Sequence, residues 1–285
     1  MTVPVTILDG HVHLLGEDSE AYLAALLAAM DRNGVGRAVV FGFQLDLECP
    51  DLLALSAARR WPDRFAPFTC AVDPDDADSP SQLEHRLSSE PWAGVGELFL
   101  ATDAPSTAYR TRAGRKLEYR YPVPASLADG SVFHQVLEMC ADYRKPVLIH
   151  SDDANVLGDI LSRHPDVTFI WAHADWCLHE AGRLLTRHPN LVVEIGTHLH
   201  FGGLAAPGQP IEQAPYMADW LALCLPFIEE HVGRVTYGSD HFEWRHLEPD
   251  VNADAGYSAV RQVCRWLSPS AAHAWLWDTL SSALE

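Results

Sequence analysis

The sequence is poor in basic residues and has no patterned cysteines, and both shortages exclude classes of protein. Its 285 residues include 20 Lys and Arg against 39 Asp and Glu, a formal net charge of −19 at pH 7. Such a charge opposes binding to nucleic acid or to an anionic membrane, so we expect a small-molecule substrate instead. The six cysteines lack CxxC spacing, which indicates reduced thiols rather than a disulfide scaffold or a zinc knuckle.

Several other sequence signals are also missing. No run of about 18 apolar residues predicts a membrane span, and no basic segment followed by an apolar core predicts export. We therefore expect a cytoplasmic protein. Neither GxGxxG nor the GxxxxGKS or GxxxxGKT pattern occurs, so nothing favours a dinucleotide or P-loop nucleotide site.

Short apolar runs alternate along the chain with longer segments of helical periodicity. Eight runs predict strands, at 5–13, 37–43, 65–73, 94–101, 146–152, 168–175, 191–198 and 234–242. Helices are predicted at 19–33, 51–61, 80–89, 131–144, 155–164, 178–188 and 214–231, with two more after the last strand. Eight such units without a break in composition predict an α/β fold, a single (β/α)8 TIM barrel domain spanning residues 1–285.

The predicted segment after the fourth strand, 102–130, is long and irregular, which is typical of a functional loop. Five of the 20 Lys and Arg fall within residues 110–120. Arg112 and Arg115 are candidate contacts for a substrate carboxylate or phosphate. A solvated loop or a subunit contact explains these charges equally well, so a homo-oligomer remains an alternative.

Metal-ligating residue types occur where the predicted strands end. Side chains alternate faces along a strand, so His11 and His13 in Asp-Gly-His-Val-His share one face. The fifth, sixth and eighth strands end near His150, His173 and Asp240. A barrel brings these ends together at one mouth.

Glu97 adds a carboxylate to the fourth strand, inside the otherwise apolar Gly-Val-Gly-Glu-Leu. Such a group is costly to bury unless it is paired or bound to a metal. Four imidazoles and two carboxylates form a ligand set for a divalent ion such as Zn²⁺, with Mn²⁺ or Fe²⁺ as alternatives. Any one of the six side chains alone could equally be a satisfied core residue.

The ordered set Asp-Gly-His-Val-His at 9–13, Pro-Val-Leu-Ile-His at 146–150, Trp-Ala-His at 171–173 and Tyr-Gly-Ser-Asp at 237–240 resembles the amidohydrolase superfamily, in particular its amidohydrolase-related branch. The resemblance covers the whole chain. It implies that His11 and His13 bind a first ion, and that Asp240 binds the same ion and accepts a proton during catalysis. It implies that His150 and His173 bind a second ion. In one-metal members, the position of His150 binds the single ion and that of His173 hydrogen-bonds the attacking water or the substrate.

Glu97 bears on the number of ions. It resembles the strand-four glutamate that two metals share in TatD-like and some phosphotriesterase-like members, which favours a binuclear centre over a single ion. The fourth strand has no lysine, so the resemblance does not extend to members with a carbamylated lysine bridge. Lys145 precedes the fifth strand and lies at its wrong end.

The resemblance implies hydrolysis of a small ester, lactone or amide by a metal-activated water, on a substrate that is anionic if the basic loop contacts it. One alternative is nonoxidative decarboxylation of an acidic or aromatic carboxylate, as in one-metal relatives. A second is a TatD-like phosphodiesterase or nuclease, which the net charge opposes. A noncatalytic metal-binding protein is a third.

Other polar residues near the predicted strand ends are candidates for contact with the substrate. His198 and His200 form a second HxH pattern, and His241 follows Asp240 directly. On an ideal strand Asp9 shares a face with His11 and is a candidate to orient its imidazole, although it could equally cap a loop.

Overall fold

The protein was analysed as a computed structural model, which describes residues 5–14, 19–42, 50–74, 76–100, 106–110, 116–120, 124, 126–201, 208–214, 217–241 and 252–285. The strands are β1 (Ile7–His13), β2 (Val35–Phe41), β3 (Phe65–Thr69), β4 (Gly94–Leu100), β5 (Ser106–Arg110), β6 (Lys116–Arg120), β7 (Val147–Ser151), β8 (Phe169–Trp171), β9 (Leu191–Glu194) and β10 (Val235–Thr236). One sheet of eight strands has the order β1-β2-β3-β4-β7-β8-β9-β10, and its neighbouring strands are parallel.

This sheet closes on itself. The amide of Gly10 donates to the carbonyl of Tyr237 at 2.9 Å, and the amide of His13 donates to the carbonyl of His241 at 2.7 Å. These bonds join β1 to the segment that contains and follows β10. The predicted (β/α)8 barrel is therefore confirmed.

Helices separate the barrel strands. They are α1 (Ser19–Asn33), α2 (Pro50–Arg60), α3 (Ser79–Ser89), α4 (Val132–Asp142), α5 (Ala154–Arg163), α6 (Leu178–Arg187), α7 (Thr197–Phe201), α8 (Met217–Glu230), α9 (Asn252–Val263), α10 (Pro269–His273) and α11 (Thr279–Ala283). Among the described residues, no helix combines the length and the hydropathy that a membrane crossing needs.

The ends of these helices follow from local chemistry. The side chain of Asp153 caps α5 by accepting from the amides of Asn155 and Val156 at 2.8 and 3.1 Å. The two Arg-His-Pro sequences stop α5 and α6, so that His164 and His188 each follow the last helical residue. Both histidines lie at the end of the strand units opposite to the barrel mouth.

The apolar side chains form two layers. A large cluster packs the helices against the outside of the barrel, and a smaller one lies within it and includes Leu8, Phe41, Phe68, Leu148 and Ile170. The interior is thus a filled core rather than a pore. Polar groups that converge at the mouth lie above this packed layer.

Two of the differences from the predicted elements concern the residues after β4 and after β9. The predicted irregular segment 102–130 contains the antiparallel hairpin β5–β6, in which Ser106 pairs with Arg120. The predicted strand 191–198 ends at Glu194, and α7 begins at Thr197. Gly196 between them has a φ of 152°, and a Cβ there would lie 2.6 Å from the ring of Tyr237, so only glycine fits this turn.

A buried pair of histidines lies away from the mouth. Nδ1 of His134 is 2.6 Å from Nε2 of His164, and the two rings stack with centroids 4.9 Å apart. Burial, helped by nearby His134 and Arg163, lowers the pKa of His164 to about 4. An unfolded histidine has a pKa near 6.5, so the unfolded chain binds more protons than the native protein between these values.

This difference makes His164 a source of acid sensitivity. Above pH 6.5 His164 does not lower the free energy of unfolding. As the pH falls from 6.5 towards 4, the unfolded chain takes up a proton at this histidine and the free energy of unfolding decreases. We expect His164→Gln to reduce that loss in unfolding free energy by on the order of 2 kcal/mol, allowing for solvent screening. Urea denaturation at stepped pH measures the effect, with the exposed His179→Gln as the matched control. If the free energy of unfolding changes equally with pH in wild type and in His164→Gln, the prediction is wrong.

Candidate metal centre

All six predicted ligands lie together at the mouth of the barrel, towards which the carboxyl ends of its strands point. His11 and His13 lie at the end of β1, Glu97 on β4 and His150 on β7. His173 and Asp240 lie two and four residues beyond β8 and β10, respectively. Groups of these side chains have ligand atoms within 4.8 Å of one another, and so have the chemistry and spacing to hold metal ions.

Irregular strand pairing sets the direction of two of these side chains. The register of β1 against β2 shifts between Asp9 and Val12, and that of β4 against β7 shifts between Val95 and Leu98. Such irregularities change the direction of neighbouring side chains. His11 and Glu97 lie within the two shifted stretches.

Two more of the predicted ligands have a left-handed backbone conformation. His173 has a φ of 58° and Asp240 a φ of 56°. Non-glycine residues rarely adopt this region, because the conformation costs on the order of 1 kcal/mol for each residue. Residues that adopt it despite this cost are often found at functional sites. β8 and β10 end earlier than predicted, at Trp171 and Thr236. A left-handed residue cannot continue a strand, so neither strand could have extended through His173 or Asp240.

The first group of ligand atoms surrounds the two histidines of β1. Nε2 of His11 and Nε2 of His13 are 3.1 Å apart. Asp240 Oδ1 lies 3.4 and 3.5 Å from these nitrogens, and Glu97 Oε2 lies 3.6 Å from each. Two nitrogens and two oxygens thus enclose one small volume.

The second group shares the carboxylate of Glu97. Its other oxygen, Oε1, is 3.2 Å from His150 Nδ1 and 3.4 Å from His173 Nε2. The carboxyl group therefore lies between two histidine pairs, with one oxygen turned towards each. The carboxyl group of Glu97 is almost fully buried, with only 4% of the side chain exposed.

These spacings fit a divalent ion. Ligand atoms of a tetrahedral zinc ion, bound at about 2.0–2.1 Å, lie about 3.3–3.4 Å from one another. The first group has separations from 3.1 to 3.6 Å. Two imidazole nitrogens at 3.1 Å also repel one another unless a proton or a cation lies between them. The residues present therefore fit the metal that the sequence predicts.

The carboxylates and the histidines of the site shift one another's pKa values towards the charged forms. Burial opposes protonation of His11, but Glu194, Glu97 and Asp240 raise its pKa well above the usual value. Burial also opposes ionisation of Asp240, yet His173, His11 and His13 lower the pKa of its carboxyl group. The carboxylates are thus ionised beside a cationic cluster, and a divalent ion would replace the protons of that cluster.

Glu194 was not identified as a site residue from the sequence. It ends β9 with no exposed surface, and its Oε1 is 3.1 Å from Nδ1 of His11 and 3.8 Å from Nδ1 of His173. A Cβ on Gly238 would lie 2.2 Å from the carboxyl carbon of Glu194, so this glycine makes room for it. The signal was present, because Leu-Val-Val-Glu is an apolar strand that carries one carboxylate, as β4 does.

Other contacts hold the remaining imidazoles. Nδ1 of His13 lies 2.8 Å from the carbonyl of Gly42, and Nδ1 of His173 lies 2.9 Å from the hydroxyl of Thr197. Partners of this kind fix the tautomer and the ring orientation of a metal-binding histidine. In both rings Nε2 is the nitrogen that faces Glu97 and Asp240.

We expect Glu194→Gln to weaken metal binding about 10- to 100-fold, because the amide keeps the size of the side chain and removes the charge that holds Nδ1 of His11. Competition with a chromogenic chelator measures the affinity. The control is Glu84→Gln, on the exposed face of α3. Equal affinity in wild type and Glu194→Gln would show that Glu194 does not support the site.

Asp9 has a different role from the orientation of an imidazole considered above. Its carboxyl group accepts from the amides of His11 and Ser239 at 3.2 and 2.9 Å and from the hydroxyl of Tyr257 at 2.7 Å. The shifted register after Asp9 separates its direction from that of the His11 ring. Asp9 therefore ties β1 to the segment after β10, and Glu194 contacts the imidazole instead.

The second HxH pattern is divided between two environments. His198 and His200 are two residues apart on α7, so their side chains diverge instead of sharing a strand face. His198 contacts Asp175 at 3.0 Å. His200 is buried and hydrogen-bonds the hydroxyl of Tyr237, with the His241 ring 4.5 Å away.

Of the predicted substrate contacts, His198 is the one that lies partly exposed beside the candidate centre. Substrate contact by His200 or His241 stays a prediction. Arg112 and Arg115 lie outside the described residues.

Comparison with known families defines the class of protein. Residues 9–279 match the model of the amidohydrolase family, so the chain belongs to that family. It is an enzyme of the amidohydrolase superfamily, whose members are generally metal-dependent, and the resemblance found in the sequence is confirmed. A search of curated proteins gives no match.

Solved structures with the same fold share little sequence with the chain. A putative 2-pyrone-4,6-dicarboxylic acid hydrolase from Pseudomonas putida has a TM-score of 0.60 at 16% identity, over 99% of this chain and 98% of that one. A TatD homologue from Escherichia coli has a TM-score of 0.58 at 16% identity, over 98% and 94%. The 4-oxalomesaconate hydratase from Rhodopseudomonas palustris has a TM-score of 0.57 at 13% identity, over 98% and 95%. At these identities the likeness shows the fold alone.

Proposed function

We propose that the protein hydrolyses a small ester, lactone or amide with two divalent ions, most simply Zn²⁺, bound at the mouth of the barrel. The observation that carries the proposal is the position of Glu97, with one carboxylate oxygen turned towards each of two histidine pairs. His11, His13 and Asp240 would hold one ion, and His150 and His173 the other.

Bound ions would lower the pKa of a water molecule and polarise the scissile carbonyl oxygen. The protein's own contribution starts with Asp240. Its lowered pKa keeps the carboxylate ionised at neutral pH, in the form that accepts a proton from the attacking water. Its Oδ2 lies 3.9 Å from His173 Nε2, so Asp240 reaches both histidine groups. Asp240 then passes the proton to the leaving group.

The position of Glu97 also favours hydrolysis over the decarboxylation considered from the sequence. The decarboxylating relatives implied by the resemblance use one ion, and a carboxylate between two histidine pairs suits two. Burial opposes the charge of Glu97, but His11, His13 and His150 lower its pKa well below the usual value. Glu97 is thus an anionic group able to bridge two cations.

The fold and the net charge suggest which substrates to test first. One structure with the same fold is named a putative 2-pyrone-4,6-dicarboxylic acid hydrolase, and a 2-pyrone is a cyclic ester, so lactones are the first compounds to test. The net charge of −19 disfavours a nucleic acid substrate, so we place phosphodiesters among the controls.

A substrate panel on metal-loaded protein tests the proposal. It contains lactones, carboxylic esters, amides, phosphodiesters and aromatic carboxylates, with metal content measured on the same sample. We expect turnover of carboxylic ester, lactone or amide bonds. Release of CO₂ from aromatic acids, or cleavage of phosphodiesters alone, would overturn the proposal in favour of the corresponding alternative.

A further inference from the structure

We propose that Trp176 and His198 form a subsite beside His173 that binds a planar ring of the substrate. This inference rests on the proposed function, because it assigns a substrate class to the same site. It depends on the position of the two residues, on the contacts that hold His198 in place, and on the exposure of the indole.

Both residues flank the candidate centre. Trp176 ends the 3₁₀ turn after His173, and its amide donates to the carbonyl of His173 at 3.2 Å. His198 follows Thr197, whose hydroxyl lies 2.9 Å from Nδ1 of His173. The segments after β8 and β9 therefore bring the two side chains to the same side of the mouth.

His198 is held by a buried carboxylate. Its Nδ1 lies 3.0 Å from Oδ2 of Asp175, whose side chain has no exposed surface. The same oxygen accepts from the amide of His198 at 3.3 Å and from Nε1 of Trp220 at 3.2 Å. Nδ1 faces Asp175 in an ion-pair contact without a hydrogen bond among the described residues, so Nε2 is the ring nitrogen that we assign to a ligand.

Trp176 rests on this anchored ring. The centroids of the Trp176 and His198 rings are 3.7 Å apart, and Trp176 is 66% exposed. Tryptophan is usually well buried, so an indole fixed by packing yet open to solvent is unusual. Its flat apolar surface suits a planar ring, which aromatic groups bind by offset stacking, and His198 adds a hydrogen bond to an oxygen substituent.

Two lactones test the subsite through turnover. Dihydrocoumarin contains an aromatic ring, and δ-valerolactone is its aliphatic counterpart. We expect Trp176→Ala to lower the ratio of kcat/KM for dihydrocoumarin to that for δ-valerolactone about tenfold, and Trp176→Phe to restore most of it. The control is Trp266→Ala, an indole that is 48% exposed on the turn after α9. An unchanged ratio in Trp176→Ala would overturn the subsite while leaving the hydrolase intact.

Equilibrium binding separates the subsite from catalysis. Calorimetry compares benzoate with cyclohexanecarboxylate on the metal-loaded protein, and we expect wild type to prefer benzoate and Trp176→Ala to lose that preference. This result supports the subsite even if no ester, lactone or amide of the panel is hydrolysed, an outcome that would overturn only the proposed function. A second explanation of the exposed indole is a subunit contact. Loss of a dimer in Trp176→Ala, with the benzoate preference retained, would overturn the subsite in its favour.

Discussion

Asp240→Asn is expected to lower kcat by about 10²- to 10⁴-fold while the protein keeps its fold and much of its metal. The amide retains an oxygen near the position of Oδ1, which lies 3.4 and 3.5 Å from the Nε2 atoms of His11 and His13. It lacks the negative charge that accepts the proton of the attacking water. Turnover and metal content measured on the same preparation distinguish a lost base from a lost ion.

A matched substitution elsewhere controls for the loss of a charge. Asp129 is 95% exposed and pairs only with Arg163 among the described ion pairs, so Asp129→Asn removes a similar group without touching the mouth. We expect its kcat to equal that of wild type. Full activity in Asp240→Asn would contradict the role of Asp240 as proton acceptor.

Glu97→Gln is expected to reduce the bound metal from two ions per chain to one and to lower kcat/KM at least about 100-fold. In wild type both oxygens of Glu97 face histidine nitrogens, at 3.2–3.6 Å. A neutral amide offers one oxygen and one NH₂ group, and the NH₂ group cannot bind a cation. Elemental analysis after gel filtration gives the stoichiometry.

The control for this variant is Glu90→Gln. Glu90 follows α3 and pairs with Arg59 of α2, away from the candidate centre. We expect this control to retain the wild-type metal content. If Glu97→Gln keeps two ions and full activity, the carboxylate does not bridge them. A wild-type protein that saturates with one ion would favour the one-metal arrangement, in which His173 contacts the water or the substrate.

Local signals made the grouping of the six candidate ligands predictable from the sequence. A strand's period places His11 and His13 on one face, and an apolar run that ends in His150 or contains Glu97 marks a polar group with a reason to be buried. The alternation of strands and helices predicts the barrel, and the barrel brings these ends together. The six predicted ligands therefore lie at one mouth in the structure.

The features that the sequence did not reveal depend on contacts between distant segments. Asp9 and Glu194 carry the same charge, but the shifted register of β1 turns Asp9 towards backbone amides and leaves the ring of His11 to Glu194. The residues after β9 kept an alternating pattern, yet Gly196 ends the strand and α7 separates His198 from His200. Neither a bulge nor a left-handed turn has a signature in hydrophobic periodicity.

The most direct test of the metal centre is the activity of the chelated enzyme during stepwise return of Zn²⁺. Protein dialysed against a chelator and then against metal-free buffer is assayed on its best substrate from the panel at each added equivalent. We predict no turnover without metal and a rise that reaches its maximum at two equivalents per chain. Full activity in the metal-free protein would contradict the account.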